Sequence, residues 1–198
     1  MTNEQSGRAI YIAGYDPEWP GIFERERKRI VRVCGDDAFA SIEHIGSTSV
    51  PGLAAKPIID MMPGLLSLDD ARALIEPLSS LGYEYVPRYE QPIPEMDDPG
   101  MPFRRYFRKD VGGVRAFHMH MVETTSDFWR DQLLFRDCLR SIPADADAYA
   151  ALKRRLAAEY SANTSPDRET NRDYTNRKSE LIAEIKSRAR TETGGALA

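Results

Sequence analysis

The chain has 198 residues, 41% of them hydrophobic and 29% charged, a balance that suits one domain of an ordinary water-soluble α/β protein. Its formal charge of −4, from 27 Lys and Arg against 31 Asp and Glu, argues against a dedicated nucleic-acid binder. No apolar run is long enough to span a bilayer, and the polar start Met1–Arg8 lacks the apolar core of a secretory signal. Cys34 and Cys138 lie apart among apolar neighbours and read as buried free thiols, so a cytoplasmic location is expected. The expected organisation is one domain over residues 9–190, with residues 1–8 and 191–198 as flexible tails.

In chain order, the pattern predicts a short strand at Ile10–Ala13. A helix then opens on Asp16 as N-cap, with Pro17 at its first position and Trp19, Ile22, Phe23, Ile30 and Val33 as its apolar stripe. Phe39–Ile45 and Pro57–Met62 read as strands. The Gly, Ser and Pro content between them marks a turn, with a short helical turn expected within Val50–Ala55. Ser67 caps a helix running to about Ser80, and Tyr83–Val86 returns to strand. Residues 87–102, with five prolines, form a long irregular loop that includes the acidic run Pro94–Asp98. Phe103–Arg108 and Arg115–Val122 pair as a hairpin around Asp110–Gly113. Three helices follow near 126–141, 145–160 and 167–189, separated by Pro143 and by Asn163–Pro166, with Trp129, Phe135 and Leu139 in the core. A small mixed sheet flanked by helices, with a helical C-terminal part, follows from this order.

The stretch from Ile42 to Asp60 carries the chemistry. A strand entering Gly46-Ser47-Thr48 offers backbone N–H groups and two hydroxyls at one point, a candidate phosphate cradle. The alternative is a tight loop whose hydroxyls cap local backbone. Asp60, on the following strand, suits a hard divalent cation such as Mg²⁺ or Mn²⁺. His118 and His120 are two apart on a strand and project from one face, placing two imidazoles where they can ligate a metal or move protons, or simply bond to backbone and water. Lys56, Lys178 and Arg105 are candidate phosphate contacts. Adjacent strand residues face opposite ways, so one of Arg104 and Arg105 should face the site, and Arg105 is selected. Lys178 follows Tyr174 by four, on the same helix face, where ion pairing is the alternative. Glu123 is a candidate carboxylate or a solvated strand end.

Glu43-His-Ile-Gly-Ser-Thr-Ser-Val-Pro-Gly-Leu-Ala-Ala-Lys-Pro-Ile-Ile-Asp60 resembles the signature of the GrpB family. Tyr15-Asp-Pro-Glu-Trp19, His118-Met-His-Met-Val122, Phe135-Arg-Asp-Cys-Leu-Arg140, Tyr149-Ala-Ala-Leu-Lys153 and the Tyr174/Lys178 pair extend the resemblance over residues 11–189. The resemblance implies a compact member of the nucleotidyltransferase superfamily, in which a Gly-Ser turn meets an Asp-x-Asp pair on the next strand and a further carboxylate on a later one. Similar domains occur fused to dephospho-coenzyme A kinase, which points toward nucleotide or coenzyme metabolism. Asp60 matches the first acidic position, but Met62 stands at the second.

The expected function is therefore a nucleotidyltransferase-type enzyme using ATP or another NTP, with Mg²⁺ or Mn²⁺, on a small-molecule acceptor. Asp60, His118 and His120 are its expected catalytic residues, and Asp60 and His120 its metal ligands. Gly46, Ser47, Thr48, Lys56, Arg105 and Lys178 are its expected phosphate contacts. Alternatives are a non-catalytic nucleotide-binding module, an ATP-dependent ligase on the same fold, and metal-assisted hydrolysis of a phosphate ester. No membrane or nucleic-acid partner is expected.

Overall fold

The first helix, α1 (Trp19–Cys34), starts later than the sequence suggests. Asp16 does not cap it. Its Oδ1 accepts the Glu18 N–H at 2.9 Å and its carbonyl accepts that of Trp19 at 3.1 Å, which closes a turn ahead of the helix. Pro20, rather than Pro17, takes the proline-tolerant first turn. Gly35, at φ 100°, ends the helix with its N–H on the Val31 carbonyl.

The computed structural model describes residues 11–92, 100–162 and 173–194. The acidic run Pro94–Asp98 and the break at Asn163–Pro166 lie outside the described residues, as does Ile10. Of the first predicted strand, Ala13 makes an isolated antiparallel bridge to Ala55. Among the described residues, five strands form one sheet in the order β1-β2-β5-β4-β3. They are β1 (Ser41–Ile45), β2 (Ile59–Leu65), β3 (Glu84–Tyr85), β4 (Arg104–Val111) and β5 (Val114–Glu123). β2 runs antiparallel to β1 and parallel to β5, and β4 is antiparallel to both β5 and β3. Among the described residues, the named helices after α1 are α2 (Ala71–Ser80), α3 (Asp127–Ser141), α4 (Pro143–Ala162) and α5 (Ser179–Gly194).

Several elements depart from their predicted bounds for local reasons. The short helical turn is at Ser47–Ser49, where Ser49 N–H and Oγ both bond the Gly46 carbonyl, and Val50–Ala55 is a non-helical turn. Ser67 caps a 3-10 turn, Leu68–Asp70, before α2 begins. β2 continues past Met62 through Pro63 and Gly64 because β1 pairs with it throughout. Its parallel ladder to β5 passes from Met61↔Met119 to Gly64↔Val122, skipping the stretch where proline has no N–H to give. Pro143 opens α4 instead of preceding it. Of the predicted helix over 167–189, residues 167–172 lie outside the described residues, and the rest is one helical turn at 173–176, a break at Arg177–Lys178, and α5, which continues to Gly194.

Contacts divide the chain into two compact units, each drawn from separate stretches. One comprises Asp16–Ser49 and Ile58–Leu133 and holds the whole sheet. Strand alternation gives that sheet two unlike faces. One presents Ile59, Met61, Phe107, Phe117, Met119 and Met121, all buried, and α1 packs on the same β1–β2 end of the sheet. Burial of such side chains contributes about 1.5–3 kcal/mol apiece. The opposite face carries Asp60, Met62, His118, His120 and Val122, with Ile45 of β1 and Arg104 and Tyr106 of β4 in register. The other unit comprises the residues to Tyr15, Val50–Pro57 and Leu134–Ala198. Its apolar clusters join Val50 and Leu53 to Leu139, Tyr149 and Ile185, and Leu156 to Ala157 and Tyr174. Cys138 is a buried free thiol, whereas Cys34 is half-buried.

Candidate metal centre

Asp60 and His118 are direct partners in the parallel β2–β5 register, and His120 follows on the same face. Asp60 Oδ1 lies 3.3 Å from His118 Nδ1 and 3.8 Å from His120 Nε2. One ligand atom from each residue falls within 4.8 Å of the others, a set able to surround a single divalent ion. Burial opposes the charge on Asp60, but hydrogen bonding to His118 and His120 prevails and holds its carboxyl well below the usual carboxylate range. Burial pulls the His120 imidazole down to about 4, the nearby Arg104 charge adding to that and Asp60 opposing it.

The Gly46 turn meets this cluster directly. Gly46 has φ 68°, and a Cβ there would lie 2.3 Å from Asp60 Oδ2. Any side chain at Gly46 would displace the carboxylate, so glycine serves here to bring the turn against Asp60. Ser47 is half-buried in the turn. Thr48 is buried, and its hydroxyl donates to the Ile58 carbonyl at 3.2 Å and sits 3.0 Å from His44 Nε2. Thr48 therefore braces the turn against the start of β2, and its side chain does not reach solvent. His44 faces away from the other histidines and stacks on Phe23 at 4.6 Å.

Arg104, not Arg105, faces the cluster, with its Nη1 2.8 Å from His120 Nδ1. Arg105 points to the other side, to Glu90 at 3.1 Å and the Pro102 carbonyl at 3.0 Å. The cause is a bulge in the hairpin. Val111↔Val114 and Asp110↔Arg115 pair tightly around Gly112–Gly113, but beyond them Lys109 pairs with Phe117. The extra residue, Ala116, reverses which alternate residues of β4 lie opposite the histidines. Tyr106 and Phe128, missed in the sequence, also border the site. Their rings lie 5.4 Å and 6.1 Å from that of His120. Alternation outward from His118 and His120 would have found Arg104 and Tyr106 once the bulge was known.

Met62 is fully buried with Ile45 and Val122, under Phe128, Trp129 and Leu133. A carboxylate there would lie in an apolar cluster. Glu123 ends its strand by accepting the Leu68 N–H at 2.9 Å, a structural role. Lys56 and Lys178 belong to the other unit, where both ammonium groups sit over the ring of Tyr174.

Residues 9–188 match the family described as GrpB protein, and the chain belongs to that family. The UPF0157 protein YqkA of Bacillus subtilis is 39% identical over 153 residues, covering 77% of this chain and 41% of YqkA. The chain thus spans about two fifths of that relative's length. The crystal structure of GrpB from Enterococcus faecalis superposes with a TM-score of 0.76 at 30% identity, covering 92% of this chain and 99% of that one. A protein named dephospho-CoA kinase from Mycolicibacterium paratuberculosis is 30% identical over 174 residues, 78% of this chain and 41% of the kinase. Among the described residues no helix is long and apolar enough to cross a membrane.

Proposed function

We propose that this protein is a nucleotidyltransferase-type enzyme that binds ATP or another NTP with a divalent metal at Asp60, His118 and His120 and modifies or activates a small-molecule acceptor. The observation that carries this reading is the close approach of the Gly46 turn to Asp60, beside two imidazoles on one sheet face. The donor set fits a metal. Two imidazoles and one carboxylate suit Mn²⁺ or another imidazole-binding dication better than Mg²⁺, which prefers oxygen ligands. When bound, the metal would neutralise charge on phosphoryl oxygens. The chain's own residues supply the rest. Asp60 stays ionised, Gly46 and Ser47 bring main chain alongside, Thr48 holds the turn in place, and Arg104 contributes a permanent positive charge on the same face. Similarity to part of a dephospho-CoA kinase is compatible with a nucleotide or coenzyme among the ligands.

The decisive comparison is wild type against Asp60→Asn in thermal shift, with nucleoside triphosphates in the presence and absence of Mn²⁺ or Mg²⁺, followed by a search for labelled product on an acceptor panel. A ligand at 100 times its Kd adds about 2.7 kcal/mol of stability. The expected result is a metal-dependent shift in wild type that disappears in a folded Asp60→Asn protein, with product formation lost as well. Unchanged turnover in Asp60→Asn would overturn the reading. Buried Met62 favours a second one, a nucleotide-binding module without transfer. Saturable nucleotide binding with no product on any acceptor would select it.

A further inference from the structure

The unit without the sheet gathers positive charge around one aromatic ring. Lys56 Nζ lies 4.5 Å and Lys178 Nζ 4.3 Å from the centroid of Tyr174. The Tyr174 ring is buried, packed with Leu156, Ala157, Ile12, Leu152 and Tyr160, so it is a fixed platform. Cation–π attraction to one immobile ring restrains two long side chains that would otherwise sample many rotamers, and restraint before binding lowers the entropy lost on binding. Both lysines are half-buried and remain reachable from solvent.

A third lysine stands behind them. Lys153 is buried, with its Nζ 2.5 Å from the Ala54 carbonyl and 4.7 Å from the centre of the Tyr149 ring. Through Ala54 it holds the segment that delivers Lys56, and the Ala13–Ala55 bridge ties the same segment from its other side. Burial and the charge of Lys178 together draw the Lys153 ammonium down to about 7. Lys178 is thus coupled to both other lysines, to Lys56 through the shared ring and to Lys153 through its field. Lysine ammoniums bind phosphate as point charges, without the planar geometry that arginine imposes.

We propose that Lys56 and Lys178, set on Tyr174 and backed by Lys153, form an anion site that takes a phosphate or polyphosphate group without a divalent metal. This is independent of the Asp60 centre, and the two readings can fail separately. The test is calorimetric titration of the full chain with inorganic pyrophosphate in excess EDTA. Saturable binding is expected in wild type and in Asp60→Asn, weakened at least about tenfold in Lys56→Gln/Lys178→Gln. Lysine acetylation read by mass spectrometry supplies a measurement that needs no variant. Pyrophosphate should protect Lys56 and Lys178 while leaving the exposed Lys28 unprotected. Absence of saturable binding, equal affinity in the double variant, or uniform labelling with and without pyrophosphate would each overturn the proposal.

Discussion

Arg104 has no acceptor atom, so its contact with His120 must be a donation to Nδ1, and the neutral imidazole then carries its proton on Nε2, the nitrogen nearest Asp60. A ligand nitrogen needs a free lone pair, and its opposite nitrogen ordinarily donates to an acceptor. Arg104 enforces the reverse arrangement. Metal binding through His120 Nε2 therefore requires Arg104 to leave Nδ1. Arg104→Gln replaces a donor-only cation with an amide whose oxygen can accept from Nδ1–H. Mn²⁺ or Zn²⁺ should bind this variant about 10-fold or more tightly than wild type in calorimetric titration. Weaker binding would mean that Arg104 supports the metal form instead of opposing it.

At the scale of elements, α1 is tied to the sheet by a buried ion pair. Lys109 Nζ of β4 lies 2.5 Å from Glu26 Oε1, and both side chains are nearly solvent-free. Glu26 has a second partner, Arg29, whose Nη1 lies 3.2 Å from Oε2, so losing Lys109 removes the closer and more buried of its two cations. Lys109→Met should cost about 1.5–3 kcal/mol in urea denaturation, less than for a wholly unpaired charge because Arg29 remains, whereas Lys109→Met combined with Glu26→Leu should recover most of that loss. Little cost in the single variant would show that Arg29 alone satisfies Glu26. The same hairpin marks the limit of what could be read in advance. His118 and His120 are legible as a pair because a two-residue period needs no knowledge of partners. Asp60 is legible because one apolar strand carries one charge. Which arginine joins them depended on the bulge at Ala116, which no local propensity encodes. Likewise, Pro63 and Gly64 read as a strand ending, yet Gly64 admits Trp129 at a distance where a Cβ would lie 2.8 Å from its ring. Tertiary packing decided that boundary. The split of α5 from residues 173–176, which sets Lys178 over Tyr174 from a turn, was equally hidden in a continuous helical pattern.

For the molecule as a whole, Lys153 links stability to pH. Its folded pKa, about 7, lies below the ordinary lysine value of 10.5. The unfolded chain therefore binds more protons than the native one between those values, and stability rises with pH across that window. The cost of charging Lys153 is felt in full below pH 7 and vanishes above the unfolded value. Lys153→Met should flatten the rise, so the difference in urea midpoint between variant and wild type should shrink steadily from pH 7 to pH 10. A constant difference would show that Lys153 keeps an ordinary pKa.

Each unit is stitched from distant stretches, and that carries a consequence for synthesis on the ribosome. Everything needed for the sheet unit lies before residue 134, so the Asp60 centre can assemble while the later helices are still unmade. Residues 11–15 and 50–57 emerge early but belong with helices translated later, and Leu53 has no Ile185 to meet until then. A stalled chain ending near residue 133 would thus present a finished sheet together with Val50 and Leu53 still waiting for their partners, transiently exposed apolar surface of the kind that invites aggregation.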